Sequence, residues 1–176
     1  MTGQEARPVA IRLAAPDDYG RVGDLVVEAF SALRQLRGFY EAEIRDVARR
    51  AEGAEVLVAV DGDGTLVGTV TLVTGEGSFP REVARGDEVE FRMLAVSPAV
   101  QGQGVGRALA MACVDRAQSL GRPRIAISSG AWMTAAHALY AGMGFVRDPS
   151  RDWSPAPGID LVGFTLDVPG RNEPAA

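Results

Sequence analysis

The stretch EFRMLAVSPAVQGQGVGRALA, residues Glu90–Ala110, decides the fold of this chain. It opens as an alternating apolar run typical of a strand, passes a proline, and places Gly102, Gly104 and Gly106 just before a helical pattern. A strand that leads straight into a helix leaves the first N–H groups of that helix unpaired, and glycine lets an anion approach them. The stretch therefore predicts an anion site at the start of a helix.

Two familiar phosphate-binding motifs do not fit these glycines. The dinucleotide fingerprint G-x-G-x-x-G fails in both frames, because Arg107 or Leu109 stands where the third glycine belongs. The P-loop motif needs a lysine, whereas all 18 basic residues of this chain are arginine. The same lack of lysine excludes pyridoxal-phosphate enzymes, which hold their cofactor through a lysine.

Composition narrows the class of protein further. A length of 176 residues suits one domain, which we predict from residue 8 to residue 168, with flexible termini at 1–7 and 169–176. The net charge of −5 argues against nucleic-acid binding. No apolar run approaches the roughly 18 residues of a membrane span, so we expect a cytoplasmic protein without membrane contact. With one histidine and one cysteine, Cys113, we expect no metal site and a cysteine buried in the core.

The order of hydrophobic patterns predicts an α/β fold, a mixed sheet with helices on both faces, in the order β-α-α-β-β-β-α-β-α-β-β. Its clearest element is a hairpin in which the strands EVLVAV and TLVGTVTLV flank DGDG. Two helices, at 19–33 and 39–51, are expected before it. The polar connection at 74–87 is long enough to suggest a functional or mobile segment, and 147–158 is predicted as a loop.

Two motifs resemble those of the GNAT family of N-acetyltransferases. Gln101, Gly104 and Gly106 fit the family's pyrophosphate loop, Q/R-x-x-G-x-G/A. The segment AAHALYAGMGFVR, about 35 residues further on, resembles the family's A-x-x-L-Y-x-x-x-G-F motif. Its matching residues are Ala136, Leu139, Tyr140, Gly144 and Phe145. The resemblance is strong from Glu90 to Arg147 and extends by element order over residues 8–168.

The resemblance implies a GNAT-like acyl-CoA N-acyltransferase fold with acetyl-CoA as co-substrate. In that family the fourth and fifth strands splay apart, and pantetheine pairs with the fourth as an added strand. Backbone N–H groups at the start of the following helix would hold the pyrophosphate. The cofactor-binding residues implied in this way are Leu94, Ala95, Val96, Gln101, Gly102, Gln103, Gly104, Val105, Gly106 and Arg107.

Transfer of an acetyl group to an amine needs a base, a donor for the oxyanion and an acid for the departing thiolate. The resemblance gives Tyr140 the acid role, although Tyr140 also fits a stripe of core residues on its helix. The oxyanion donor would be a main-chain N–H near Leu94.

The resemblance implies that Glu90 is the base, because many members of the family carry a base at this position of the strand that enters the cofactor slot. Glu88 and Asp87 are its rivals, and His137 is a further alternative. Strand alternation places Arg92 on the face of Glu90 and Leu94, where it would pair with Glu90 and weaken that residue as a base.

The segment after the last helix suggests one wall of the acceptor pocket. Its predicted acceptor-binding residues are Arg151, Asp152 and Trp153, with Arg147 and Asp148 as further candidates. We therefore expect an acetyl-CoA-dependent N-acetyltransferase that acts on a small primary amine by direct transfer in a ternary complex. The resemblance also implies a homodimer. The alternatives are a protein amino-terminal or lysine acetyltransferase, and a non-catalytic acyl-CoA-binding sensor module.

Overall fold

A mostly antiparallel sheet, with eight strands among the described residues, forms the centre of the protein. The computed structural model describes residues 8–31 and 39–170. Neighbouring strands follow the order β1-β2-β3-β4-β5-β8-β6, with β7 also on β8. The β4–β5 pair is parallel. The strand bounds are β1 Ala10–Leu13, β2 Glu55–Val60, β3 Leu66–Val73, β4 Val89–Val96, β5 Arg124–Gly130, β6 Val146–Arg147, β7 Trp153–Ala156 and β8 Ile159–Asp167.

Within the described residues, five α-helices connect these strands. Their bounds are α1 Tyr19–Ser31, α2 Phe39–Arg45, α3 Val47–Gly53, α4 Val105–Ser119 and α5 Thr134–Gly142. A 3₁₀ turn at Pro16–Asp18 leads into α1, and the Asp18 carboxylate accepts the N–H of Ala15 at 2.7 Å. The start of α1 is thus built by the Pro-Asp-Asp sequence that predicted it.

Each face of the sheet carries its own hydrophobic core, as the predicted architecture requires. On one face α4 and α5 cover a cluster that includes Leu109, Cys113 and Tyr140. On the other, α1 covers a cluster that includes Leu25 and Met93. Residues of β4 contribute to both cores, so β4 is the strand on which the two faces meet.

The predicted fold class is confirmed, with two local differences. The helix expected at 39–51 is broken at Asp46, whose side chain accepts the N–H of Arg49 and caps a new helix, α3. The predicted loop at 147–158 was wrong in part, because Trp153–Ala156 forms β7 against β8. The predicted end of the first helix, at 32–33, and most of the predicted flexible termini lie outside the described residues.

Candidate active site

A slot opens in the sheet between β4 and β5. The two strands pair only at Val89–Ile125 and Glu90–Ala126. Both strands continue, β4 to Val96 and β5 to Gly130, without further pairing to each other among the described residues. This divergence leaves backbone groups on one edge of β4 beyond Glu90 available to a ligand, which fits the splayed strands that the sequence resemblance implied.

A β-bulge in β4 changes which side chains share a face. The register against β3 runs from Thr69–Ala95 to Thr71–Arg92, so β4 contains one extra residue. Met93 lies at this bulge with a φ of 55°, a left-handed conformation uncommon for a side chain larger than glycine. Arg92 and Leu94 were expected on one face. That expectation was wrong, because Leu94 packs in the α4-side core, whereas alternation from Phe91 places Arg92 on the opposite face.

The glycine-rich segment forms the turn between β4 and α4. Gly102 and Gly104 have φ values of 77° and 83°, which favour glycine strongly. Gly104 is the N-cap of α4, and the first intrahelical bond runs from the N–H of Ala108 to the carbonyl of Gly104. The N–H groups of Val105, Gly106 and Arg107 therefore precede that bond and point out of the helix end, as an anion site requires.

The other residues of the turn shape this helix start. A Cβ on Gly106 would contact Leu139 of α5 at 3.5 Å and Val96 at 3.6 Å, so this glycine sits close to both neighbouring elements. Arg107 is exposed and donates to the carbonyl of Gly142 at 3.3 Å, which ties the start of α4 to the end of α5. Val105 is buried, whereas the Gln101 and Gln103 side chains donate weakly to the backbone of Val96 and Ala99.

Tyr140 projects from α5 into the core on the α4 side of the sheet. It is 6% exposed, and its ring lies 5.7 Å from that of Phe145 and 6.0 Å from those of Phe91 and Phe164. Burial raises the pKa of the Tyr140 phenol, so the group is neutral and keeps its proton at physiological pH. The geometry of Tyr140 is compatible with two roles, that of a core residue and that of a proton donor.

Glu90, the predicted base, is 1% exposed. Its Oε1 accepts the N–H of Glu82 at 2.8 Å, and its Oε2 accepts the N–H groups of Glu82, Val83 and Ala84 at 3.0, 2.8 and 2.8 Å. A carboxylate held by backbone donors in this way fixes a loop. These contacts favour a positioning role for Glu90 over the predicted base role.

The Arg92 side chain has a different partner from the one expected. It forms an ion pair with Glu82 and lies over the Phe79 ring, 4.4 Å from its centroid. Both partners come from the polar connection between β3 and β4. Partial burial raises the pKa of the Glu82 carboxyl, the nearby Glu90 adds to that effect, and Arg92 opposes it.

Glu82 is a candidate site residue that the sequence reasoning did not name. The length and polarity of the connection marked this segment as a functional candidate, but no motif or periodicity singled out Glu82 within it. Only the folded chain brings its side chain, 31% exposed, beside β4.

Glu88 and Arg151 form a buried ion pair. Nη1 and Nη2 of Arg151 contact the two Glu88 oxygens at 2.7 and 2.8 Å. The Arg151 side chain is 3% exposed and that of Glu88 is 11% exposed. Burial raises the pKa of Glu88, but hydrogen bonds from Arg151 and from the N–H of Arg85 outweigh it and hold that pKa below the ordinary value. These contacts weigh against Glu88 as a base and against Arg151 as an acceptor-binding residue.

Arg151 is also tied to the loop that carries it. Its Nε donates to Asp148 at 2.7 Å and its Nη1 donates to the Val83 carbonyl at 2.6 Å. Gly163 on β8 makes room for this arrangement, because a Cβ there would lie 2.5 Å from the Cβ of Arg151. The segment at 148–151 is thereby joined to the β3–β4 connection.

A cavity of about 210 Å³ lies where these two segments meet. Its wall includes all three predicted acceptor-binding residues, Arg151, Asp152 and Trp153, as well as Glu82. Asp152 pairs with Arg147 at 2.5 Å, and this contact lowers the pKa of the Asp152 carboxyl. The indole N–H of Trp153 is buried and has no hydrogen-bond partner within the described residues. The structure thus gathers Glu82, Asp152 and Trp153 around one space.

The remaining candidates lie elsewhere. Asp87 is exposed, and His137 packs its ring 5.1 Å from that of Phe164. Cys113 is fully buried, as expected, and burial raises the pKa of its thiol.

Within residues 8–31 and 39–170, no group of three or more His, Cys, Asp or Glu side chains is placed to hold a metal ion. The helices in those ranges include none with the length and apolar character needed to cross a membrane.

Comparison with known proteins identifies relatives of this chain. The model of the acetyltransferase (GNAT) family matches residues 20–145, which is most of the chain. A mycothiol acetyltransferase of Cellulomonas flavigena is 35% identical over 115 residues, covering 61% of this chain and 33% of that protein. The chain thus spans about a third of the length of this curated relative.

Solved structures share the fold. An acetyltransferase of the GNAT family from Staphylococcus aureus superposes with a TM-score of 0.72 at 11% identity, covering 92% of this chain and all of that chain. The yncA protein of Salmonella typhimurium, whose structure contains acetyl-CoA, gives a TM-score of 0.67 at 22% identity over 96% of this chain and 98% of its own. With the family match over residues 20–145 and the same sheet architecture, this chain belongs to the GNAT family of acetyltransferases.

Proposed function

We propose that the protein is an acetyl-CoA-dependent N-acetyltransferase that transfers an acetyl group to the primary amine of a small molecule, directly, in a ternary complex. This proposal rests on one continuous surface: the open edge of β4 beyond Glu90 leads into the glycine turn and then to the unpaired N–H groups at the start of α4. One ligand with an extended amide-bearing arm and a pyrophosphate would fit both features. Coenzyme A has that composition.

The pantetheine arm would lie along Leu94, Ala95 and Val96 as an added strand. Its amide groups would pair with the β4 backbone that β5 no longer meets. The pyrophosphate would lie at the N-terminus of α4, where the helix dipole and the N–H groups of residues 105–107 favour negative charge. Arg107, exposed at this helix start, supplies a positive charge nearby.

The bulge in β4 offers a means to stabilise the reacting carbonyl. It interrupts the regular ladder at Met93, next to Leu94, so a backbone N–H there can point into the slot instead of toward β3. Such a donor would stabilise the oxyanion that forms when the amine attacks the thioester. The side chains near the slot then serve proton transfer.

Tyr140 is proposed to donate its phenolic proton to the departing thiolate. Because its pKa is raised, the phenol is fully protonated before the reaction, and the surrounding Phe91, Phe145 and Phe164 rings keep its position fixed. A phenol with a raised pKa is a weak acid, so a hydrogen bond to sulfur carries much of the effect and full transfer can follow later. The low basicity of a thiolate is compatible with such limited assistance.

The acceptor would enter beside the cavity between the β3–β4 connection and residues 150–153. Its size, about 210 Å³, suits a small amine better than a folded protein segment. The wall carries two carboxylates, Glu82 and Asp152, and two arginines, Arg85 and Arg151, so it offers hydrogen-bonding partners of both signs to a small polar ligand. These features support a small-molecule acceptor. Homodimer formation stays a prediction.

Two measurements test the proposed function. Acetyl-CoA at 100 times its dissociation constant should stabilise the folded protein by about 2.7 kcal/mol, detected as a higher melting temperature. Thiol release from acetyl-CoA should then depend on a primary amine, screened with benzylamine, putrescine, glucosamine and L-amino acids. Absence of the thermal shift would contradict the cofactor assignment. A shift without amine-dependent thiol release would favour an acyl-CoA-binding sensor.

A further inference from the structure

We propose that Glu82 is the proton acceptor for the incoming amine, and that Glu90 positions it. This inference rests on the proposed function and names a group of the same site to which no role has been assigned. It begins with the place where the slot opens. The β4–β5 ladder ends at Glu90, and Arg92, two residues further along β4, forms the ion pair with Glu82. The Glu82 carboxylate therefore lies beside the stretch of β4 where the strands separate.

Glu82 and Tyr140 lie on opposite faces of the sheet. Phe91 packs with Tyr140 on the α4 side, and alternation along β4 therefore places Glu90 and Arg92 on the other side. A thioester in the slot would have the acid near its sulfur on one face and a carboxylate on the other. An amine approaching from the Glu82 face would meet the carbonyl opposite Tyr140.

The contacts of the other acidic groups favour Glu82. Glu90 is 1% exposed and accepts backbone N–H groups through both oxygens. Glu88 is occupied by Arg151. Glu82 also has an arginine partner, Arg92, but its side chain is 31% exposed, whereas that of Glu88 is 11% exposed, and it lines the 210 Å³ cavity in which we place the acceptor. It combines access to an amine with access to solvent.

Hydrogen bonds to Glu90 hold the backbone of Glu82 in place. Its carboxylate binds the N–H of Glu82 itself as well as those of the next two residues, Val83 and Ala84. These bonds fix the backbone from which the Glu82 side chain projects. Loss of the Glu90 charge would release that backbone, so a Glu90 variant would lose activity although its carboxylate takes no proton from the substrate.

The charges around Glu82 suit a proton acceptor. Arg92 and Glu90 face it from β4, and Glu43 contributes from α2. The cavity wall adds Arg85, Arg151 and Asp152. Burial, reinforced by the two glutamates, outweighs Arg92 and leaves the pKa of Glu82 raised, which makes the ionised form a stronger base than a free glutamate.

The proton balance is as follows. Glu82 takes one proton from the ammonium form of the acceptor, and the neutral amine attacks the thioester carbon to form a C–N bond. The amine nitrogen of the tetrahedral intermediate then carries one surplus proton. As the C–S bond breaks, the thiolate gains a proton from Tyr140, which recovers one from that nitrogen through solvent. Glu82 releases its proton to solvent, so amide, thiol and one proton are formed.

The test compares Glu82→Gln, Glu90→Gln and the wild type in pH profiles of kcat/KM, with two acceptors of different basicity from the amine screen. An inflection caused by the amine shifts with the amine, whereas one caused by the enzyme stays fixed. We expect Glu82→Gln to lose about 100-fold or more in kcat/KM and the fixed acid-side inflection with it. Glu90→Gln should be less active and melt lower but retain that inflection. Glu82→Asp, which keeps the charge but shortens its reach, should fall between wild type and Glu82→Gln.

Glu76→Gln is the matched control, since Glu76 lies in the same connection but pairs with Arg122 and is 60% exposed. It should retain wild-type rates. The acetyl-CoA thermal shift of each variant shows that the protein is folded and binds the cofactor. A fixed inflection that is retained in Glu82→Gln would overturn the assignment to Glu82. If that inflection is also lost in Glu90→Gln, the base role returns to Glu90. A wild-type protein that binds acetyl-CoA but acetylates no amine would overturn the proposed function, and the role of Glu82 with it.

Discussion

On the proposed cofactor side of the site the groups that would face a ligand belong to the backbone, whereas on the proposed acceptor side they belong to side chains that are paired with one another. The first region consists of the open edge of β4, the glycine turn and the start of α4. The second consists of the β3–β4 connection and residues 148–153, joined by the Glu88–Arg151 pair. The first region offers backbone groups without hydrogen-bond partners. In the second region, the charged side chains are paired with one another.

This difference determines which property of the protein a substitution in each region should change. A backbone site depends on φ values and on small side chains, so it tolerates little change at Gly102 or Gly104. A site made of paired side chains can change specificity by exchanging a partner, but it loses stability when one member of a buried pair is removed. Substitutions should therefore affect binding on the cofactor side and folding on the acceptor side.

The largest effect is expected for Arg151→Met. This change leaves the Glu88 carboxylate, 11% exposed, without its main partner, and breaking a buried pair costs about 3–5 kcal/mol of unfolding free energy. Urea denaturation measures the loss. The control is Arg116→Met, which breaks the pair with Glu55 on the surface and should cost at most about 1 kcal/mol. If Arg151→Met keeps its stability and only raises KM for the amine, Arg151 binds the acceptor as first predicted.

The next effect concerns the glycine turn. Gly104→Asp forces a side chain into a φ of 83° and places a negative charge at the helix start, so acetyl-CoA affinity should fall at least about 100-fold. Isothermal titration of the folded variant measures this. Gly121→Asp is the matched control, because Gly121 also has a positive φ, 65°, but follows the opposite end of α4. Equal affinity in Gly104→Asp and wild type would contradict the phosphate assignment.

The same difference decides how much could be predicted from the sequence. The anion site at the start of α4 could be predicted because its parts are local: a strand, a turn with Gly102 and Gly104, and a helix follow one another in the chain. The slot between β4 and β5 is not local, and it was predicted only through the resemblance to the family. The pair of Arg151 and Glu88 joins residues 63 positions apart, and no periodicity encodes such a contact. The base assignment to Glu90 followed from its strand position, but its backbone partners at residues 82–84 emerge only in the folded protein.

The bulge at Met93 is a second limit of the sequence reasoning. Alternation along β4 would hold in a regular strand, and one inserted residue reverses the faces of all side chains that follow it. Methionine gives no sign of a left-handed conformation, because glycine or asparagine is the usual residue there. Leu94 was therefore assigned correctly to the slot strand but incorrectly to the face of Glu90.

Tyr140→Phe tests whether the cofactor side needs any side-chain chemistry. If Tyr140 donates to the departing thiolate, kcat should fall about tenfold or more while acetyl-CoA affinity stays unchanged. Single-turnover transfer to the best acceptor, together with acetyl-CoA titration, separates these effects. Tyr19→Phe, which removes a hydroxyl from α1, is the control. A folded Tyr140→Phe protein with wild-type transfer rates would show that Tyr140 serves only the core.

The smallest effect is expected at Asp148, on the exposed rim of the acceptor side. Hydrogen bonds from Ser150 and Arg151 lower the pKa of Asp148 to about 2, from about 3.9 in an unfolded chain. A depressed pKa stabilises the folded state above the unfolded pKa, and that contribution is lost as the pH falls from about 4 to about 2. Because the side chain is 27% exposed, solvent screening reduces the contribution to about 1 kcal/mol.

Asp148→Asn keeps an oxygen that can accept the N–H of Ser150 but removes the charge beside Arg151. Its unfolding free energy should therefore lie about 1 kcal/mol below that of the wild type near pH 7, and the two curves should converge toward pH 2. Glu88 titrates in both proteins, so the difference between the curves isolates Asp148. A difference that stays constant with pH would mean that Asp148 acts through packing and capping alone, and that Glu88 by itself neutralises the buried Arg151.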